Sequence, residues 1–365
     1  MRDCFQYESQ TLTFVEACRC KQKKIGGIRL DKKDKETTDE RGVNLGQFVE
    51  QLFTEDENQI SKCIKYYPTA FSALDEALGG GFTSGLHCLG SMPSLGKSTF
   101  AQQIAENMSA SGIPVLFFSL DAKMIDIAAK AVSRRTYINS CNDKEFEDTE
   151  KTTGELLNKE CFIGYSEHDW EAVSAAAEIV AVKNANLQVL DQSWKDGTLW
   201  TADSIVDYVA EWVGRAGQHP FVIIDYLQLL QMPDGAWGWT DKQIVDYNLQ
   251  RFFSLAESSD VPVLLISSFN RAAYNSEASL ASFKDSGSIE YSCDVVIAMD
   301  LYGAGGEGFD ELAGRVRTPR DILVRILKHK YGKAGDELPF LYDARYSFFK
   351  DPSAEEEDEN VLYFP

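Results

Sequence analysis

The run Gly90-Ser91-Met92-Pro93-Ser94-Leu95-Gly96-Lys97-Ser98-Thr99 has the residue types and spacing to hold a polyphosphate. It follows G-x-x-x-x-G-K-[ST] except at the first position, where Ser91 stands and Gly90 lies one residue ahead. In such a loop successive backbone N–H groups face the anion, and the helix N-terminus behind them adds its positive end. Ser91, Ser94, Leu95, Gly96, Lys97, Ser98 and Thr99 are the expected nucleotide-binding residues. Lys97 would reach the β- and γ-phosphates, and the Ser98 hydroxyl would bind Mg²⁺. Leu86 to Leu89 reads as a short buried strand and Thr99 to Ala105 as the first turns of a helix. Strand, loop and helix in that order predict a nucleoside triphosphate site.

Three further groups fall at strand ends. Phe221-Val222-Ile223-Ile224-Asp225 is an apolar strand closing on the carboxylate that a Mg²⁺ site beside such a loop requires. Phe117-Phe118-Ser119-Leu120-Asp121 is a second, expected to lie beside the phosphate loop. Asp121 either aligns the attacking water or caps a helix starting at Ala122; spacing alone leaves both open. Ser267 and Ser268 end a later strand and either sense the γ-phosphate or are ordinary strand-end polarity, and Arg271 follows them. Lys328-His329-Lys330 supplies cations that suit a neighbouring subunit's nucleotide or a solvated basic hairpin.

The elements that must position these groups alternate. Strands are predicted at Leu86–Leu89, Val115–Ser119, Leu187–Leu190, Phe221–Asp225, Val261–Ser267, Val295–Asp300 and Val324–His329. Helices are predicted at Ala122–Ser133 and Thr201–Ala216, and a mobile loop at Gly303–Arg320. Continuous apolar strands separated by helices predict an α/β fold with a central, mainly parallel sheet covered on both faces. Residues 1–66 read as an extension with a basic linker and a candidate docking helix at 45–53. From Tyr67 the alternating pattern begins, a span that the resemblance given below reads as one ATPase domain over 67–350, and 351–365 read as an acidic tail, solvated and carrying Glu355, Glu356, Glu357, Asp358 and Glu359.

The chain has 365 residues and a net charge of −21, which argues against a broadly basic nucleic-acid-binding surface. DNA contacts would have to be local. Residues 19–35 hold eight Lys/Arg against Asp31 and Asp34, which suits a linker face or a phosphate backbone. Trp237 and Trp239 either stack on bases or lie under a neighbour. No run approaches the roughly 18 apolar residues of a membrane span, and the N-terminus lacks a signal peptide's apolar core. No membrane association and a cytoplasmic location are expected. Cys88, Cys161 and Cys293 read as small buried side chains, and the Cys18-Arg19-Cys20 pair lacks a partner at metal spacing.

Six blocks resemble the ATPase domain of DnaB-type replicative helicases, including relatives from mobile elements and phages. They are Tyr67-Pro68-Thr69-Ala70-Phe71-Ser72-Ala73-Leu74-Asp75 with Gly79-Gly80-Gly81, the phosphate loop, Phe117 to Asp121, Ile224-Asp225-Tyr226-Leu227-Gln228-Leu229, Ser267 to Arg271 with Ser286-Gly287-Ser288-Ile289-Glu290, and Lys328 to Gly332. The resemblance implies a RecA-like P-loop NTPase that forms a hexameric ring. It implies ATP hydrolysis with Mg²⁺ at subunit interfaces and movement on single-stranded DNA, with a primase or loader as a further partner. By position it assigns phosphate and metal to Lys97 and Ser98, and the metal shell to Asp225. Asp121 falls on the catalytic glutamate, and Ser268 on a γ-phosphate-sensing Gln. Lys284, Asp285, Ser286 and Gly287 fall on the DNA loop, near Arg271, and Lys328 and Lys330 on the pair reaching the neighbour's γ-phosphate. Lys330 stands where that pair has its arginine finger, and lysine lacks the planar fork. Arginine fingers contribute about 10³–10⁵ in rate in other NTPases. The resemblance thus implies either a motor or a catalytically weakened ATP-binding assembly, loading or recombinase-like factor.

Overall fold

The computed structural model describes residues 45–46, 64–192, 199–284 and 286–351. The chain divides into two units, Met1–Lys65 and Tyr66–Pro365. The basic stretch 19–35, the Cys18/Cys20 pair and the acidic residues beyond Asp351 lie outside the described residues, as does the candidate docking helix apart from Leu45 and Gly46.

The second unit is built on a nine-stranded sheet. Short strands β1 (Tyr66–Tyr67) and β2 (Phe82–Thr83) pair separately, on either side of helix α1 (Ser72–Ala77). In the main sheet β3 is Gly85–Ser91, β4 Val115–Ser119, β5 Leu187–Asp191, β6 Phe221–Asp225 and β7 Pro262–Ser268. β8 is Val295–Leu301, β9 Arg320–His329, β10 Glu337–Asp343 and β11 Phe348–Lys350. The order is β11-β10-β9-β8-β3-β7-β6-β4-β5. The six strands from β8 to β5 are parallel, and β9, β10 and β11 extend one edge antiparallel. β3, β4, β6 and β8 are buried along their whole length, which is why they read as unbroken apolar runs.

Helix α2 (Lys97–Ala110) follows the phosphate loop and packs its first turns against the antiparallel edge. The Phe100 ring stacks on Phe71 at 5.0 Å and meets Phe340 and Phe349 edge-on at 5.3 and 5.0 Å. The Gln103 amide donates to the Phe349 carbonyl and accepts from its N–H, both at 2.9 Å. The helix behind the phosphate loop is thereby strapped to β11. Helices α3 (Met124–Asn142), α4 (Thr153–Leu157) and α5 (Glu167–Lys183) lie between β4 and β5 in the chain. α6 (Ala202–Ala216) precedes β6, α7 (Asp241–Ser259) precedes β7, and α8 (Ser286–Ser292) precedes β8.

The structure departs from the sequence reading at several points. β4 is not beside the phosphate loop's strand, because β7 and β6 lie between β3 and β4. Helix α3 begins at Met124, not Ala122, and runs on to Asn142. The expected loop at 303–320 contains a short helix, α9 (Glu311–Val316), capped by Asp310, whose carboxylate accepts from the Ala313 N–H. Cys161 is only half-buried, whereas Cys88 and Cys293 are in the core.

Candidate functional site

The loop between β3 and α2 owes its shape to two glycines. A Cβ on Gly90 would lie 2.2 Å from the Phe283 ring, so only glycine fits where β3 passes beneath that side chain. Gly96 has φ 92, and a Cβ there would lie 2.8 Å from the Tyr342 ring and 3.0 Å from Phe349. Ser91, at the position where the motif expects glycine, is buried and satisfied by donating to the Met92 carbonyl at 2.7 Å. Leu95 and Thr99 are buried, so they can offer a phosphate only backbone groups, while Pro93 and Ser94 are exposed. Arg320, which opens β9, donates to the Ser94 carbonyl at 3.0 Å and lies over the Tyr342 ring at 5.3 Å.

Below the loop, the Ser98 hydroxyl donates to Asp225 Oδ1 at 3.0 Å across 127 residues of sequence. Lys97 Nζ lies 5.6 Å from the centre of the Tyr226 ring. Burial pushes the Asp225 carboxyl up to about 6, although Ser98, Lys97 and Lys130 favour its charged form. Burial also lowers the Lys130 ammonium's pKa, while Asp225, Asp126 and Asp121 pull the other way. A hydroxyl and a desolvated carboxylate in one cleft are the oxygen donors a small divalent cation accepts.

Asp121 is exposed at the end of β4 and does not cap α3. Lys123 holds the cap position, with its N–H donating to Asp126, and the Met124 N–H donates to Asp191 at 2.8 Å. The capping reading therefore falls, because the chain takes two more residues to turn into the helix. Asp121 remains within electrostatic range of Asp225, Lys130 and Tyr226.

Ser268 pairs with Ser91 in the β3–β7 register, at the same end of the parallel strands as the loop. Gln228 donates to the neighbouring Ser267 hydroxyl at 2.9 Å. The Ser268 carbonyl accepts from the Lys284 N–H at 3.2 Å, and the Asn270 N–H donates to the Ser282 carbonyl at 2.9 Å. The strand end beside the loop is thus stitched to residues 282–284. Arg271, Lys284 and Gly287 are exposed. Gly287 belongs to helix α8; Asp285 and the Ser286 side chain lie outside what is described. Trp237 is exposed, and Trp239 packs edge-on against Tyr247 at 5.5 Å.

Lys328 and Lys330 are not brought to this cleft. β9 runs antiparallel to β8, so its C-terminal residues lie beside Val295, at the opposite end of the sheet from the loop. Five residues of strand, Val295 to Met299, separate the two ends, a span on the order of 15 Å. Lys130, Arg320 and Gln228, which the structure places beside these groups, carry no signal of their own in the sequence.

The model for the DnaB-like helicase C terminal domain matches residues 67–351. The chain belongs to that family. The "Replicative DNA helicase DnaB" of Pasteurella multocida is 27% identical over 235 residues, covering 63% of this chain and 45% of that protein. That of Leifsonia xyli is 27% identical over 288 residues, covering 78% and 55%. The chain thus spans about half the length of the curated relatives it matches. Among solved structures, a separately solved ATPase domain aligns with a TM-score of 0.66 at 19% identity, over 84% of this chain and 98% of that one. "The Structure Of A DnaB-Like Replicative Helicase And Its Interactions With Primase" gives 0.65 at 20% identity, over 86% and 68%. The fold is that of a RecA-like ATPase. No helix among the described residues is long and apolar enough to cross a membrane.

Proposed function

We propose that this protein is an ATP-dependent DNA helicase or translocase of the DnaB type, active in the cytoplasm as a hexameric ring. ATP is hydrolysed at subunit interfaces to drive movement on single-stranded DNA. The observation that carries this reading is the Ser98–Asp225 contact at 3.0 Å beneath the Lys97 loop in a chain of this family. Residues 67–350 act as the ATPase domain, with 1–66 an extension and 351–365 a tail. A primase or loader is the further partner, a reading supported by the likeness to a DnaB-like helicase whose structure concerns its interactions with primase.

Lys97 neutralises the β- and γ-phosphate oxygens, and the backbone of residues 91–99 cradles them. Ser98 and Asp225 would hold Mg²⁺, which supplies further charge neutralisation on the phosphates. Asp121 accepts a hydrogen bond from the attacking water, and Lys130 balances the two carboxylates. Ser268 reports the γ-phosphate to residues 282–284 through its carbonyl. Arg271, Lys284, Asp285, Ser286 and Gly287 follow the DNA backbone. Lys328 and Lys330 act on the nucleotide of the neighbouring subunit; their distance from their own loop along the sheet supports a role in trans.

Steady-state ATP hydrolysis with and without single-stranded DNA, at a concentration that permits assembly, tests the proposal. Strong stimulation supports the motor. Tight ATP binding with negligible turnover in both conditions replaces it with an ATP-gated assembly factor, the reading favoured by Asp121, Ser268 and Lys330. DNA binding should weaken steeply with salt if several phosphates are neutralised in a channel. Salt-independent binding would sink translocation.

The raised Asp225 carboxyl gives a pH signature. Above about 7 it is charged and ready for metal. As pH falls through about 6 it takes up a proton, so Mg²⁺-dependent kcat/KM should drop by about tenfold per pH unit below the midpoint. Raising Mg²⁺ should move that midpoint to lower pH, since metal and proton compete for one carboxylate. At Mg²⁺ well below saturation, a flat profile down to pH 5 would remove Asp225 from the metal shell.

A further inference from the structure

Lys330 is held at two points by one residue. Its backbone N–H donates to the Asp294 carbonyl at 2.9 Å, and its ammonium pairs with Asp294 Oδ1 at 2.8 Å. Asp294 is itself fixed. It is buried, and its N–H donates to the Leu86 carbonyl at 2.6 Å. A Cβ on Gly85 would lie 2.2 Å from Asp294 Oδ2, so the carboxylate sits over bare backbone. The Lys330 ammonium also lies 5.1 Å from the centre of the exposed Tyr331 ring. These contacts raise the lysine's pKa, the Asp294 hydrogen bond most of all, and keep it charged.

We propose that Asp294, with Tyr331 as a second support, is a positioning residue that aims Lys330 at the neighbouring subunit's nucleotide. The proposal rests on the reading of Lys330 as a trans-acting cation. A lysine lacks arginine's rigid fork and reaches a phosphate on a flexible stem. One carboxylate accepting one of its three N–H bonds fixes the ammonium without exhausting its donors for phosphate oxygens. The lysine side chain keeps 43% of its exposure, so the clamp does not bury it. Lys328 is tied to the same segment, donating to the Glu290 carbonyl at 2.6 Å. Helix α8 thus follows the expected DNA loop and carries the anchor of Lys328 near its end, and Asp294 lies two residues beyond it.

The test is a double-mutant cycle on the full chain, read as DNA-stimulated kcat and KM for ATP, with thermal unfolding and binding of a fluorescent ATP analogue as controls. Asp294→Asn keeps the shape and an acceptor but loses the charge. It should lower kcat about tenfold with KM and analogue binding unchanged, a coupling in the usual range for residues in contact. Lys330→Ala should cost more, and adding Asp294→Asn to it should cost nothing further. Tyr331→Leu, at an exposed position, should cost about threefold in kcat. If Lys330→Ala leaves turnover intact, the reading of Lys330 itself fails. If Lys330→Ala is slow but Asp294→Asn is not, or is faster than the parent, only the positioning role is overturned. Should Asp294→Asn lack a cooperative unfolding transition, Tyr331→Leu decides, and an unchanged kcat overturns the proposal.

Discussion

Lys97→Ala should abolish ATP turnover, by at least about 10²–10³ for the loss of one preorganised cation at a developing phosphate charge, and leave the fold intact. The side chain is half-buried at the first position of α2, with its ammonium near the Tyr226 ring. Alanine is the best helix former, so the helix loses nothing. The Ser98–Asp225 contact beneath the loop does not involve the lysine. Turnover, analogue binding and thermal unfolding of the variant separate these effects. Activity that survives the substitution would mean that this loop does not serve ATP hydrolysis.

Gly96→Ala should damage the same site through shape. Its φ of 92 disfavours any side chain, and the added methyl would meet the Tyr342 ring at 2.8 Å. Left-handed strain costs about 1–2 kcal/mol and overpacking about 1–3 kcal/mol more. Tyr342 stacks on Phe349 at 4.2 Å, and Phe349 is tied to Gln103, so neither ring has room to give way. Gly79→Ala is the matched control. Its φ is 71, with nothing within 4 Å of the added carbon, so it should show the backbone strain alone. Urea unfolding and analogue binding should find Gly96→Ala destabilised by more and unable to bind nucleotide. Equal effects for the two variants would show that the ring contact does not shape the loop.

The parts of the site legible in the sequence are those made of neighbours in the chain. Ser91 to Thr99 forms one strand–loop–helix passage, and Asp225 ends a wholly apolar strand. Asp121 was half legible, since an acid before a helix is equally a cap until the helix start is known. β10 and β11 escaped notice because they form an edge. β10 alternates exposed and buried residues and carries a proline, and β11 has three residues.

By itself the sequence determined the α/β alternation, the phosphate loop and the acids at strand ends. Local hydrogen bonding and two-sided burial dictate residue types over short spans. Only the tertiary structure decided the strand order, which separates β4 from β3 by two strands. It also supplied the partners that arrive from far along the chain: Asp225 for Ser98, Tyr342 for Gly96, Arg320 for Ser94 and Asp294 for Lys330. The antiparallel run of β9 decided that Lys328 and Lys330 lie away from their own loop. Strand direction and order are set by how the whole core closes, and no short stretch of residues encodes them.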